Sequence, residues 1–274
     1  LKMPKNILFL CDASDIDVVG KSFEGHEDYA ITIETSEKIL QFGVRQYLRE
    51  TIGRIRKNPE MYDGIVGTHD SSAVFAAIIA QETGHRFASM AAILNCQNKY
   101  FCRRITKSVV PEHTPNYALA LDYLRDPSRL SIPFFIKPVR SNISFGAHKI
   151  EHPDQLEHYI ARESIDIARF NQYYLDAIGL KAAYYNALNL CTCNSYLCED
   201  FIDGTQVTVD GYIYEGRITF FGITRAVFYP GTNSFAYHKF PHQFPPEVFN
   251  KIEVGLKRVI PALGIDNSFL NVEL

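Results

Sequence analysis

A lysine set directly before a proline, with serines, an asparagine and a glycine close behind, is the part of this 274-residue sequence best suited to chemistry. In PFFIKPVRSNISFGAHKI, residues 133–150, the apolar run Phe134-Phe135-Ile136 ends at Lys137-Pro138, and the polar turn Ser141-Asn142-Ile143-Ser144-Phe145-Gly146 follows. A strand, a Ser/Asn/Gly turn and a second strand over 147–150 describe a hairpin in which Gly146 is free to take φ > 0. Such a turn aims backbone N–H groups and hydroxyls at an anion, with Lys137 alongside as a point charge. This is a phosphate grip without a Walker sequence, because GxxxxGK[ST] occurs nowhere in the chain. A Lys-Pro pair before a polar hairpin is also an ordinary structural device, so the rest of the sequence has to decide.

Other reactive residue types are scattered. Asn98-Lys99 and Arg103-Arg104 lie on SMAAILNCQNKYFCRRI, which reads as one helix, where cations are most simply a solvated face. His69 and Asp70 follow a strand at its carboxyl end, where open α/β sheets bind ligands, but they serve equally well as a helix cap. The 6 cysteines include Cys191-Thr-Cys193 and Cys198, whose spacing is not a zinc pattern and which have no histidine nearby. They read as reduced, partly buried thiols.

The elements that must position these residues follow from periodicity. Residues 6–12 and Tyr29–Thr35 read as strands, and Ser36 is expected to cap one long amphipathic helix through Ile39, Leu40, Val44, Tyr47, Leu48, Ile52 and Ile55. Residues 62–67 read as a third strand, followed by the small-residue helix AVFAAIIAQETGH. This β-α alternation describes a doubly wound, Rossmann-like unit, yet no GxGxxG supports a dinucleotide. Residues 111–131 read as loop, short helix and turn. Pro153 opens a helix, and 164–190 is helical or irregular. YLCEDFI (196–202), QVTVDGYIY (206–214) and RITFFGITR (217–225) read as strands of a C-terminal meander with a hairpin turn at Glu215-Gly216. A Pro-Gly-Thr loop, a helix over PPEVFNKIEVGLKRVIPALG and a strand SFLNVEL close the chain.

With 46% hydrophobic residues the chain has a core large enough for two or three subdomains. A net charge of −3 argues against a nucleic-acid partner held by bulk electrostatics. No apolar run approaches the roughly 20 residues of a membrane helix, so no membrane association is expected. The apolar core of the first strand is too short for a secretory segment, which leads to the expectation of a cytoplasmic protein.

In this order the motifs resemble the ATP-grasp superfamily, and within it the carboxylate–amine (amino-acid or peptide) ligases: a Rossmann-like unit, a helix with Asn-Lys, P-x-x-x-K-P before a Ser/Gly hairpin, E-D-F-I-D-G, and F-x-N-V-E. The resemblance implies an α/β (α+β) ATP-grasp fold, with a Rossmann-like pre-ATP-grasp domain at 1–94, a small lid subdomain at 95–198 and a large antiparallel-sheet subdomain at 199–274. It implies that Lys99 and Lys137 meet the ATP phosphates and that Ser141, Ser144, Phe145 and Gly146 belong to the loop that closes over them. Glu199, Asp200, Phe201 and Ile202 match the hinge that reads adenine, and Gln206 stands where the family often has a ribose-binding glutamate. His238 and Lys239 fall where some members place cations near the triphosphate. Arg225 is a candidate for the substrate carboxylate, against an ordinary strand-end arginine.

Glu273 resembles the first magnesium-binding carboxylate. The family's further E-x-N strand is not in the sequence, which ends at Leu274, and one carboxylate cannot hold two Mg²⁺ ions. The expectation is therefore a large subdomain cut short. The implied chemistry is ATP-dependent formation of an acyl phosphate and its capture by an amine, with Lys137, Arg225 and Lys239 as catalytic candidates and no nucleophilic side chain. The alternatives are a non-catalytic ATP-binding relative that has lost its metal site, and a plain α/β ligand-binding domain. The acid and amine, amino acids or short peptides by resemblance, are not named by the sequence. Neither is the oligomeric state, although homodimers are common among relatives.

Overall fold

Strand β1 (Lys5–Cys11) is the middle of a parallel sheet, flanked by β2 (Tyr29–Thr35) and β3 (Gly64–Gly67). The computed structural model describes residues 3–142, 145–180, 192–231 and 235–274. The last four residues of β1 are all buried, as a strand covered on both faces requires. Around it run α1 (Ile16–Phe23), α2 (Ser36–Phe42), α3 (Val44–Lys57) and α4 (Asp70–Thr83), so the β-α alternation read from the sequence is present. Leu8, Leu10, Ile39, Leu48, Ile55, Phe75 and Ile78 form its core.

Two helices expected to be continuous are broken. Gly43 divides α2 from α3 by taking φ 98°, and its N–H closes onto the Ile39 carbonyl at 3.0 Å. The cap is Thr35 rather than Ser36, its hydroxyl accepting from Lys38 N–H at 3.3 Å. The second break separates α5 (Met90–Gln97) from α6 (Lys99–Val109) at Asn98. Asn98 is fully buried and extended, and its side-chain oxygen accepts from Phe101 N–H at 3.0 Å. A buried asparagine whose side chain bonds the backbone offers the chain an alternative to the helical ladder and starts the next helix. The break has a direct consequence for the site, since Lys99 opens α6 instead of lying mid-helix.

The second sheet has the order β4-β7-β5-β6, with β4 (Tyr117–Leu119), β5 (Phe134–Pro138), β6 (His148–Ile150) and β7 (Tyr196–Asp200) antiparallel throughout. Between them come α7 (Ala120–Arg125), α8 (Gln155–Phe170) and α9 (Gln172–Ile178). Phe134 and Ile136 of β5 pack with Cys198, Leu156 and Ile167 on the helix-covered face. Their alternates, Phe135 and Lys137, go to the other face with Glu199. The expectation that β7 opens the C-terminal meander is corrected here. Its first four residues are all buried, and it fills the centre of this sheet between β4 and β5. The boundary expected between 198 and 199 accordingly falls inside β7.

The third sheet runs β10-β9-β8-β11, from β8 (Val207–Tyr214), β9 (Arg217–Phe228), β10 (Phe235–Lys239) and β11 (Ser268–Glu273). Helix α10 (Pro246–Leu263) covers one face, packing Leu256 and Ile260 on Val207, Val209, Ile213 and Ile223. The alternate residues of β8, namely Thr208, Asp210, Tyr212 and Tyr214, belong to the opposite, outer face. The β8–β9 turn is Glu215-Gly216 as read, both at positive φ (49° and 76°), which suits the twist of a tight hairpin. Among the described residues no helix is long and apolar enough to cross a membrane.

Candidate active site

The site begins with a charged triad on the face of the second sheet that carries Lys137 and Glu199, where α6 contributes Arg103. The Lys137 ammonium pairs with Glu199 Oε1, and Arg103, one turn along α6 from Lys99, donates from Nε to Glu199 Oε2 at 2.9 Å. Glu199 is only 7% exposed. Burial opposes its charge, but Lys137 and Arg103 outweigh burial and hold the carboxyl below its ordinary range. Its side chain is thus engaged by two cations.

Lys99 approaches from α6. Its Nζ donates to the Ser141 carbonyl at 2.6 Å and lies 3.3 Å from the Ser141 hydroxyl, while its N–H reaches the Val139 carbonyl at 2.9 Å. Burial pushes its ammonium down to about 8, and the positive charges of Lys137 and Arg140 push the same way, against Asp70 and Glu273. One electrostatic neighbourhood therefore joins the polar turn, α6, the start of α4 and the end of β11. Arg140 is 2% exposed and donates to Asn171 Oδ1 (2.9 Å), Gln97 Oε1 (2.7 Å) and the Tyr173 hydroxyl (3.1 Å). Its guanidinium lies 3.6 Å from the centre of the Tyr174 ring. No carboxylate pairs with it among the described residues, and Gln97 passes the link on to the Asp70 carbonyl at 2.6 Å. Sequence reasoning missed Arg103 and Arg140 as members of this neighbourhood. The i,i+4 spacing of Arg103 from Lys99 and the place of Arg140 three residues after Lys137 are the signals that pointed to them.

The turn itself is held from behind. Gly146 takes φ 67°, and a Cβ there would lie 2.9 Å from Pro138 Cγ, so the close approach and the left-handed backbone both call for glycine. The Tyr159 hydroxyl donates to the Gly146 carbonyl. Phe145 is half-exposed, 6.0 Å from the Phe170 ring, and Ser144 lies outside the described residues. At the end of β7, the Asp200 carboxylate accepts from Asn116 N–H at 3.0 Å. Phe201 and Ile202 are exposed, with the Lys149 ammonium 4.8 Å from the Phe201 ring centre. Gln206 is half-buried, and its carbonyl accepts from Ala226 N–H at 3.1 Å.

On the third sheet Glu273 is exposed, opposite Thr208, and Asn271 stands opposite Asp210 on the same outer face. An exposed carboxylate in the electrostatic reach of Lys99 is the hard oxygen donor that magnesium prefers, so Glu273 fits as one ligand. Arg225 and Lys239 are a cross-strand pair in register with Val207, whose side chain lies in the helix-covered core. Register places both on the Val207 side of the sheet, whereas Glu273 pairs with Thr208 on the other, and Arg225 and Lys239 are both exposed. His238 is exposed beside the Phe235 ring, 5.1 Å between centroids.

Comparisons agree on the architecture. The L-amino acid ligase of Bacillus licheniformis superposes with a TM-score of 0.74 at 16% identity, covering 100% of this chain and 64% of that one. The VanG D-Ala:D-Ser ligase of Enterococcus faecalis gives 0.65 at 15% identity, covering 98% and 85%. The D-alanine–D-alanine ligase of Bacillus anthracis, solved with ATP, gives 0.59 at 13% identity, covering 98% and 81%. The chain thus spans about two thirds of the length of the first of these. No curated protein matches by sequence. The family model of the ATP-grasp domain matches residues 130–274, which take in the Lys137 hairpin, β7 and the whole third sheet, and the chain belongs to the ATP-grasp family.

Proposed function

We propose that this chain binds ATP between its second and third sheets and uses it to join a carboxylate to an amine, through an acyl phosphate, with release of ADP and phosphate. The observation that carries the reading is the convergence of Lys137, Lys99 and the Ser141 turn, with Glu199 fixing the first lysine. Two cations from different elements, one on a strand and one at the head of a helix, suit a triphosphate rather than a single charge. As a phosphoryl group transfers, negative charge spreads over its oxygens, and preplaced ammonium groups stabilise that charge without reorganising. Lys99 is well matched to this task, because a lowered ammonium is readily recharged by an arriving anion.

The segment after β7 supports the nucleoside end of the proposal. Its exposed Phe201 and Ile202 offer apolar surface, its backbone the donor and acceptor that adenine needs, and Gln206 an amide for a ribose hydroxyl. Magnesium, when bound through Glu273, supplies positive charge at the phosphate oxygens. The likeness to an L-amino acid ligase and to D-alanine ligases supports amino acids or short peptides as the small-molecule partners.

The test is ADP release with MgATP and a panel of carboxylates and amines. Release that needs both partners supports the ligase. Release indifferent to the carboxylate, or ATP binding with no turnover for any pair, leaves a nucleotide-binding protein and removes the ligase reading.

A further inference from the structure

The outer face of the third sheet carries a carboxylate that the proposed ATP chemistry does not use. Asp210 lies in the middle of β8, two cross-strand pairs beyond the Thr208–Glu273 pair and on the same face. It accepts from the Asn271 amide at 2.7 Å and from the Thr224 hydroxyl at 3.0 Å. Both donors are neutral, and among the described residues no cation pairs with it. The carboxylate is therefore oriented while its charge stays uncompensated, the condition of a group waiting for a cation.

Its surroundings narrow the cation. Opposite Asp210 stands Gly222, where a Cβ would lie 2.8 Å from the Phe240 ring, so the missing side chain lets that ring lie over β9 at the residue paired with Asp210. On the other side, the bulge after Asp210 turns the exposed Phe221 toward Tyr212, their rings 5.7 Å apart. A carboxylate on a strand face that also carries exposed aromatic rings suits an organic ammonium with an apolar body, which gains both a charge-assisted hydrogen bond and contact with ring faces. A hydrated metal ion gains nothing from the rings.

We infer that Asp210, held by Asn271 and Thr224 and walled by Phe240, Tyr212 and Phe221, binds the free ammonium group of an amino acid whose carboxylate is the one activated. This rests on the ATP-dependent ligase reading and deepens it. The strand spacing supports it: two residues along β8 are about 7 Å, so one small molecule spans from the Glu273 end to Asp210. Asp210 is a binding residue and takes no part in phosphoryl transfer.

The test uses the whole chain with MgATP and hydroxylamine, which captures an acyl phosphate as a hydroxamate. Each proteinogenic L-amino acid is offered beside its N-acetyl counterpart, and MgATP binding is followed separately by thermal shift. The expected result is hydroxamate from one or more free amino acids, apolar or aromatic ones foremost, with little from the N-acetyl forms. Asp210→Asn should raise KM for that amino acid roughly ten- to a hundredfold, the loss of one charge-assisted hydrogen bond, and leave KM for ATP unchanged. N-acetyl forms used as well as free ones overturn the inference. So does a variant that loses ATP affinity instead, which would assign Asp210 to the nucleotide or its metal. MgATP binding without hydroxamate from any free amino acid also overturns it, whereas no MgATP binding at all overturns the ligase reading beneath it.

Discussion

Lys137 and Glu199 are diagonal neighbours across β5 and β7: Glu199 is in register with Phe135, and Lys137 lies two residues further along the same face. Their ion pair is almost out of water, with side chains 18% and 9% exposed, and Arg103 completes it from α6. A buried carboxylate between two cations offsets their mutual repulsion and fixes the position of the lysine.

Removing that carboxylate should therefore be costly to the fold. Glu199→Gln strands two cations at a buried position, which typically costs about 3 kcal/mol or more. In a chain of this size that is a fall in melting temperature of roughly 6–12 °C. Calorimetry in the absence of nucleotide checks this, and a fall under about 2 °C would mean that the pair is solvent-screened.

Lys99 gives a pH signature with a definite sign. Its ammonium is lowered to about 8, chiefly by burial and then by Lys137 and Arg140, while the unfolded chain keeps the ordinary value of 10.5. Between these values the unfolded state holds the extra proton, so the contribution of Lys99 to stability rises as pH goes from about 8 towards 10.5. Affinity for ATP, which needs the charged form, falls over the same range. Melting curves and ATP titrations from pH 7 to 10 on wild type and Lys99→Met isolate both effects by difference. Parallel curves for the two proteins would contradict the assignment.

Arg140 should resist its closest substitute. A lysine cannot reproduce three donors on Asn171, Gln97 and Tyr173 together with the stacking on Tyr174. Arg140→Lys is expected to lower stability by about 2 kcal/mol or more, seen as a lower urea midpoint at unchanged slope. A variant as stable as wild type would show that the stacked geometry contributes little.

Much of this was legible from residue types alone. Periodicity gave β1 and β2 and the β8–β9 hairpin, because alternation and an acid-glycine turn act locally. The hairpin around Lys137-Pro138 and Gly146 was legible for the same reason. What escaped depended on distant partners. Asn98 breaks a helix because its side chain is buried and capping, which spacing does not reveal. Strand β7 looked like the opening of a meander because a strand's partner is chosen by tertiary packing. The face that Arg225 and Lys239 take is set by strand register, which residue type alone does not give. Arg103 read as part of a solvated helix face until the fold set it against Glu199, and the burial of Arg140 depends on partners distant in sequence.

The most direct test of the account is a thermal-unfolding comparison of wild type and Lys137→Ala with and without MgATP. Saturation at about 100 times the dissociation constant adds roughly 2.7 kcal/mol, a rise of several degrees for this chain length. The account predicts that rise in wild type and its loss in Lys137→Ala. A wild type that does not shift, or a variant that shifts equally, would contradict the claim that ATP is held at the Lys137 hairpin.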